Sequence, residues 1–241
     1  FYVLVLKQSM PHIAGHLVAA SLLACPAAIM TSKLVYPETE TPETMGDQLP
    51  TEEPVYDSAM DAIFQGGLFG LKLVASIVAM VIALLGLFAL LNFGLEGLSI
   101  PLQWLGIPIS LRLASLLGYA AYPFALLTGL PPHDALLVAK LLGERMVMTE
   151  IVAYQHLAQM IENGTLTTVR SQVIASYALC GFTHIASLGI FSAGLLALAP
   201  SQKSNLGKVA WRSLWAAFLA SLLTAAVAGT FYGQQAYMLG V

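Results

Sequence analysis

The sequence predicts an all-α, polytopic membrane protein that contains a re-entrant helical hairpin and a broken transmembrane helix. Of its 241 residues 58% are hydrophobic and only 10% are charged, whereas a soluble domain carries about 25% charged residues. Residues 73–95, 171–202 and 213–241 contain no Asp, Glu, Lys or Arg. Each run is long enough to cross the bilayer, because about 20 residues span its hydrocarbon core as a helix. The formal net charge of −3 and the absence of a basic run argue against nucleic acid as a partner.

The N-terminal part predicts a helix end, a spanning helix and a linker. The chain opens on FYVLVLK without Met, so we expect a fragment whose first helix begins upstream. Residues 1–35 then hold the end of that truncated helix and a first spanning helix, HLVAASLLACPAAIMTSKLV, whose small side chains suit close packing in a membrane. Residues 36–58 are acidic and rich in Pro, which predicts a solvated linker and not a cluster of metal ligands.

Two segments of different character follow the linker. Residues 59–98 predict one long spanning helix that is apolar from Leu68 onward. Residues 99–131 combine Arg112 with several Pro, Gly, Trp and Tyr residues. Because amphipathic aromatic side chains settle at the membrane surface, we expect interfacial helices there, with a simple span as the alternative.

Residues 132–168 predict a re-entrant hairpin, because Lys140, Glu144, Arg145 and Glu150 leave no charge-free stretch of spanning length. Two helical halves of roughly 15 residues would each cover about 22 Å, which is less than the thickness of the bilayer core. Glu150 would lie near the hairpin tip. A structural alternative is that Glu150 only forms an ion pair with Arg145 or Lys140.

The C-terminal part predicts a broken spanning helix over residues 169–200, then a basic turn and a last spanning helix over residues 201–241. The sequence CGFTH interrupts the middle of the first of these helices. Thr183, His184 and Ser187 place polar groups at the depth of the break. Discontinuous helices of this kind build the substrate sites of secondary transporters near the bilayer midplane.

Three of the polar side chains near the two interruptions can form a site for sugar hydroxyls. Glu150 can accept charge-assisted hydrogen bonds, and an ionisable group inside a membrane is costly enough to indicate a function. His184 and Ser187 are three residues apart, so they share one face of a helix.

Purely structural roles for these side chains remain open from the residues alone. His184 could form an interhelical hydrogen bond, Ser187 could bond back to its own helix, and Thr149 could cap the second half of the hairpin. We find no nucleophile–base pair, no phosphate-binding glycine loop and no zinc-protease motif, so the sequence predicts no enzyme, no catalytic residue and no metal site.

Long motifs resemble those of the concentrative nucleoside transporter family. LLGERMVMTEIVAY resembles the family stretch LLGxKxxxNEFVAY, and YALCGFTHIASLGIFSAGLLALAP resembles ALCGFANxxSIxI followed by GG and AP. The stretches HLVAASLLACPAAIMTSKLVYPETE and SLLTAAVAG match as well. The resemblance covers residues 16–233 in the expected order and corresponds to the C-terminal part of the family.

The resemblance implies a symporter that moves nucleosides into the cell with a cation, sodium in most members and the proton in some. It implies a multi-pass homotrimer embedded in the lipid of the plasma or inner membrane, and two inverted repeats of which this chain holds the second hairpin. The family's base-binding residues and ion ligands precede Phe1. We therefore expect no cofactor in this chain, and we expect the co-transported ion to bind outside it.

The resemblance also implies which residues would bind the ribose. The hairpin Glu of the family corresponds to Glu150, and the Asn and Ser of the broken helix correspond to His184 and Ser187. The Phe two positions before that Asn corresponds to Phe182, which would line the site. Thr149, next to Glu150, stands where the family has another Asn.

The two replacements of Asn, Thr149 and His184, fall beside the expected substrate. A neutral His offers one donor and one acceptor from different ring nitrogens, whereas a His that is charged near pH 6.5 would pair with Glu150. These replacements leave open the same fold with an altered substrate, either a nucleobase or another polar solute. A membrane receptor that keeps the fold without transporting is a further alternative.

Overall fold

The computed structural model describes residues 2–39, 56–104 and 111–232, and the regular structure of these ranges is entirely helical. This confirms the predicted all-α class. The helices in chain order are α1 (Tyr2–Leu6), α2 (Ile13–Val35), α3 (Ala59–Trp104), α4 (Leu113–Leu127), α5 (Pro132–Val147), α6 (Glu150–Glu162), α7 (Val169–Leu179), α8 (Ile185–Leu198) and α9 (Lys203–Phe231), with a 3-10 turn Pro200–Gln202 before α9.

Three of the described helices are long and apolar enough to cross a membrane. They are α2, α3 and α9, the last together with the turn before it. This finding confirms a polytopic membrane protein. α3 contains 46 residues and ends at Trp104, so it extends beyond the predicted boundary at residue 98. Most of the predicted linker, residues 40–55, lies outside the described residues, as do residues 105–110 of the segment predicted to be interfacial.

The segment predicted as a re-entrant hairpin contains α5 and α6, joined by Met148 and Thr149. The two helices have 16 and 13 residues, which corresponds to about 24 and 20 Å and is too short for either to span the bilayer core. Thr149 is extended, with φ −154° and ψ 161°. The helical backbone is therefore interrupted one residue before Glu150.

A buried carboxylate joins the beginning of the hairpin to the chain that follows it. Asp134, in the first turn of α5, is fully buried. Its Oδ2 accepts a 2.7 Å hydrogen bond from the Thr167 hydroxyl, and the Thr167 amide donates to both carboxylate oxygens at 3.2 Å. Thr167 lies in the connection between α6 and α7. These hydrogen bonds therefore tie the start of α5 to the chain that follows α6.

The backbones of α4 and α5 cross in direct contact. A Cβ atom added at Gly143 would overlap the carbonyl oxygen of Ala114 and the amide nitrogen of Gly118. Small residues at such a crossing allow the close approach that stabilises helix pairs in membranes. α4 therefore braces one arm of the hairpin.

The broken helix divides at residues 180–184 into α7 and α8, which have different neighbours. α7 packs mainly on α9, whereas α8 packs mainly on α3. The contact with α3 is close at Gly189, where an added Cβ would overlap the side chain of Met80. The break thus lies where the chain passes from one group of packed helices to the other.

We expect Gly143→Ala to lower the free energy of unfolding of the protein by about 1–3 kcal/mol, because the added methyl group overpacks a close helix crossing. The measurement is the apparent melting temperature of the purified protein in detergent. Gly86→Ala is the matched control, because Gly86 lies inside α3 with no atom within 4 Å of an added Cβ. A melting temperature that is equally unchanged in both variants would contradict the proposed role of the crossing.

Candidate functional site

Glu150 is the first residue of α6 and is buried at the tip of the hairpin. Its Oε1 accepts a 2.7 Å hydrogen bond from the hydroxyl of Tyr2 in α1. Its Oε2 is buried without a hydrogen-bond partner among the described residues and lies 3.4 Å from Nε2 of His184. The helix N-terminus favours the carboxylate's negative charge. The remaining oxygen can accept a hydrogen bond from a ligand.

His184 caps α8 through one ring nitrogen and faces Glu150 with the other. Its Nδ1 accepts a 3.0 Å hydrogen bond from the amide of Ser187, so Nδ1 carries no proton. A neutral ring then has its proton on Nε2, the nitrogen that faces the Glu150 carboxylate. A second proton would have to bind Nδ1 and would remove the cap. The neutral tautomer therefore accounts for both contacts of this side chain.

Ser187 and Thr149 lie at the first turn of α8 and just before α6, respectively. The Ser187 hydroxyl is within hydrogen-bond distance of two carbonyl oxygens, that of His184 at 2.5 Å and that of Phe182 at 3.2 Å. Since a hydroxyl has a single proton, Ser187 can offer a ligand only its lone pairs. Thr149 occupies the N-cap position of α6 but forms no side-chain cap bond.

Phe182 lies within the break and is 46% exposed. Its ring centroid is 4.6 Å from that of His184 and 5.6 Å from that of Phe191. Together with Ser187 it lines a cavity of about 340 Å³ between α8 and α9. The structure thus gives Phe182 an aromatic contact with His184 and an exposed face.

The structure brings the polar side chains of the two interruptions together. Glu150 and His184 face each other, Ser187 follows in the same turn as the His184 cap, and Thr149 and Phe182 flank the pair. The sequence left open an ion pair between Glu150 and Arg145 or Lys140. The described side-chain contacts of the carboxylate are instead those with Tyr2 and His184.

Sequence reasoning missed two residues around the site, Tyr2 and Tyr154, and placed a third, Thr183, at the break without giving it a role. Tyr2 contacts Glu150 from 148 positions away, and its ring centroid lies 4.8 Å from that of the buried Tyr154. The Thr183 hydroxyl is buried in the break without a hydrogen-bond partner among the described residues. No periodicity could have indicated Tyr2 or Tyr154, whereas the burial of Thr183 was suggested by its place in an apolar helix.

Comparisons with known proteins identify the family of the chain. Residues 16–229 match the family model described as Na+ dependent nucleoside transporter C-terminus. Solute carrier family 28 member 3 of Mus musculus is 35% identical over 230 residues, which cover 89% of this chain and 32% of that protein. Sodium/nucleoside cotransporter 1 of Rattus norvegicus is 33% identical, with 91% of this chain and 35% of that protein covered. The uncharacterized transporter YutK of Bacillus subtilis is 34% identical, with 90% and 52% covered.

Solved structures of CNTnw share the fold. A variant in an outward-facing state superposes with a TM-score of 0.78 at 27% identity, over 90% of this chain and 51% of that chain. CNTnw in an inward-facing substrate-bound state gives a TM-score of 0.65 at 28% identity, over 90% and 50%.

The hairpin, the broken helix and these matches place the chain in a family of multi-pass membrane transporters. The chain belongs to the Na+-dependent nucleoside transporter family and carries the family's C-terminal region. It spans about a third of the length of the mammalian relatives and about half of the bacterial one.

We expect His184→Ala to lower the stability of the parent protein by the loss of a helix cap, typically about 1 kcal/mol. His184→Asn should keep the melting temperature, because Asn is a good N-cap residue. The control is His12→Ala, since His12 stands at the N-cap of α2 without a side-chain cap bond. The measurement is thermal unfolding in detergent, and equal stability of His184→Ala and wild type would exclude the cap.

Proposed function

We propose that the protein to which this chain belongs is a cation-coupled symporter that moves nucleosides into the cell. The ribose would bind between the hairpin tip and the break in the α7–α8 helix. The observation that carries the proposal is the buried Glu150 carboxylate, whose Oε2 has no hydrogen-bond partner in the described part of the chain. A buried acceptor without a partner is costly unless a ligand or water supplies the missing donor.

The chemistry of the side chains suits a sugar with hydroxyl groups. A ribose hydroxyl can donate to Oε2 of Glu150, which is the stronger, charge-assisted kind of hydrogen bond. The Nε2–H of His184 can donate to a second hydroxyl oxygen, and Ser187 can accept from a hydroxyl with its lone pairs. Thr149 and Phe182 would line the same space. Because Tyr2 already occupies Oε1, the substrate would approach from the His184 side.

Two features of the relatives support the transport cycle that we propose. Two of them are named as sodium/nucleoside cotransporters, so we propose sodium as the coupling ion, with the proton as the alternative, bound outside this chain. The chain resembles CNTnw structures in both outward-facing and inward-facing states. An elevator-like movement of the hairpin in a lipid-embedded homotrimer fits this range of states.

A second candidate is the same fold with a different substrate, such as a nucleobase or another polar solute. The observation that favours it is the bond between the His184 ring and the Ser187 amide. This bond uses the single lone pair of Nδ1 and leaves only the Nε2–H donor toward the site, whereas the amide oxygen of a capping Asn keeps a second lone pair beside its NH2 donors. Competition of uptake by ribose-bearing and deoxyribose-bearing compounds distinguishes the candidates, because equal competition would argue against recognition of the ribose hydroxyls.

We expect Glu150→Gln to reduce uridine uptake by about tenfold or more, since hydrogen bonds to a charged group contribute about 1.5–3 kcal/mol. The measurement is uptake by the complete parent protein in cells that lack their own nucleoside carriers, in sodium and with sodium replaced by choline. Expression at the membrane should be unchanged. Glu162→Gln is the matched control, because Glu162 ends the same helix and is exposed.

The outcomes of this experiment test the ribose site, the coupling ion and the substrate separately. Normal uptake by Glu150→Gln would overturn the proposed ribose site. Uptake that ignores sodium but collapses with a protonophore would keep the function and change the coupling ion. If the well-expressed wild-type protein takes up no uridine, the altered substrate is favoured, and Thr149→Asn and His184→Asn become the next variants to test.

A further inference from the structure

Arg145 is a charged side chain that lies fully inside the protein, in the last turn of α5 near the hairpin tip. It is 0% exposed and is the largest fully buried side chain in the described ranges. Arg is almost never fully buried unless it is paired. The ion pairs found among the described residues do not involve Arg145. No described carboxylate therefore lies within 4.0 Å of its guanidinium. The guanidinium must therefore be stabilised in another way.

The partners of the guanidinium are the end of a helix and a hydroxyl. Nη1 donates a 2.5 Å hydrogen bond to the carbonyl oxygen of Ala178, and Nη2 donates a 3.1 Å hydrogen bond to Oγ of Ser221 in α9. Ala178 lies in the last turn of α7, which ends at Leu179. The C-terminal end of a helix carries a partial negative charge. One side chain thus connects α5, the end of α7 and α9.

The guanidinium also lies directly beside the break. A Cβ added at Gly181 would be 3.8 Å from Nη1 of Arg145. The Glu150 carboxylate attracts the same positive charge electrostatically. Nε has no hydrogen-bond partner among the described residues. Two of the three guanidinium nitrogens donate hydrogen bonds to described residues and the third does not. The guanidinium therefore acts mainly as a positive charge at the end of α7.

A mobile cation commonly occupies this kind of position. In secondary transporters with discontinuous helices, half-helix C-terminal ends and unwound carbonyls coordinate Na⁺ or H⁺. The end of α7 has the same chemistry, but it faces a guanidinium that stays charged at every physiological pH. A buried charge is costly unless it is paired and hydrogen-bonded. Stability alone therefore gives no reason for a charge here.

We propose that Arg145 is a tethered cation, a positioning residue that neutralises the end of α7 and holds the hairpin tip against the break in place of a free ion. The inference rests on the proposed transport function. It means that the break between α7 and α8 binds no coupling ion of its own. It also means that the positive charge at this point is required for the Glu150–His184 arrangement, independently of sodium.

The test compares three variants of Arg145: one that keeps the positive charge, one that removes the charge but keeps the side-chain volume, and one that removes both. We expect Arg145→Lys to keep uridine uptake, because the ammonium can still reach the Ala178 carbonyl. Arg145→Met keeps similar volume without charge and should lose about tenfold or more of the uptake. Arg145→Ala should lose as much, but millimolar guanidinium in the medium should restore part of the uptake, since the vacated space admits that ion.

The control is Arg170→Ala. The Arg170 side chain also donates to carbonyl oxygens, at Gly229 and Gly129, but the residue is only half-buried. Guanidinium should restore nothing in this variant or in Arg145→Met. Wild-type uptake by Arg145→Met, or no response of a folded Arg145→Ala to guanidinium, would overturn the tethered cation. If Arg145→Ala fails to reach the membrane, the pair of Lys and Met variants decides, and equal uptake by the two overturns the proposal.

A binding measurement separates this inference from the proposed function. In purified protein, millimolar guanidinium should raise the melting temperature of Arg145→Ala and leave Arg145→Met and Arg170→Ala unchanged. If the wild-type protein transports no uridine but this selective rise is found, the nucleoside function fails and the cation site stands. If uridine is transported and no selective rise is found, the function stands and the tethered cation fails.

Discussion

The central constraint on this fold is that backbone which leaves the helical conformation inside a membrane must find its hydrogen-bond partners within the protein. Two helices are interrupted here, and the interruptions meet. Arg145 donates to the carbonyl of Ala178 at the end of α7, and the Tyr154 hydroxyl donates to the carbonyl of Ser176 in the same helix at 2.9 Å. The His184 ring accepts a hydrogen bond from the Ser187 amide in the first turn of α8. Side chains thus do at the break what water does at the surface of a soluble protein.

The same arrangement explains why the polar groups of the site are few and nearly all engaged. Within the described ranges, the buried atoms without hydrogen-bond partners near the break are Nε of Arg145, Oε2 of Glu150 and Oγ1 of Thr183. Oε2 of Glu150 combines a negative charge with a position between the two interruptions. The stabilising bonds of its neighbours leave this oxygen as the strongest acceptor of the group. That asymmetry is the basis of the hydroxyl recognition that we propose.

The fold class and the positions of the interruptions could be predicted because they depend on which residue types occur along each segment. Charges at Lys140, Glu144 and Arg145 prevent a spanning helix, and CGFTH contains too little helix-forming sequence to continue one. What composition cannot record is which distant side chain satisfies a given polar group. Tyr2 reaches Glu150 across 148 positions, and the ring nitrogen that His184 uses as a cap depends on a backbone direction that no periodicity encodes. α3 extends to Trp104, past the predicted boundary at residue 98, into a segment whose Pro, Gly, Trp and Tyr residues predicted interfacial helices.

The crossing of α4 and α5 has a mechanical consequence. Side chains between two helices can change rotamer and let the helices slide, but Gly143 and Gly118 place backbone on backbone. Such a contact has no soft layer, so a displacement of α4 reaches α5 almost undiminished. α5 ends at Val147, three residues before Glu150. α4 thus supports the hairpin and is also rigidly coupled to its tip. A displacement of α4 would therefore move the carboxylate of Glu150.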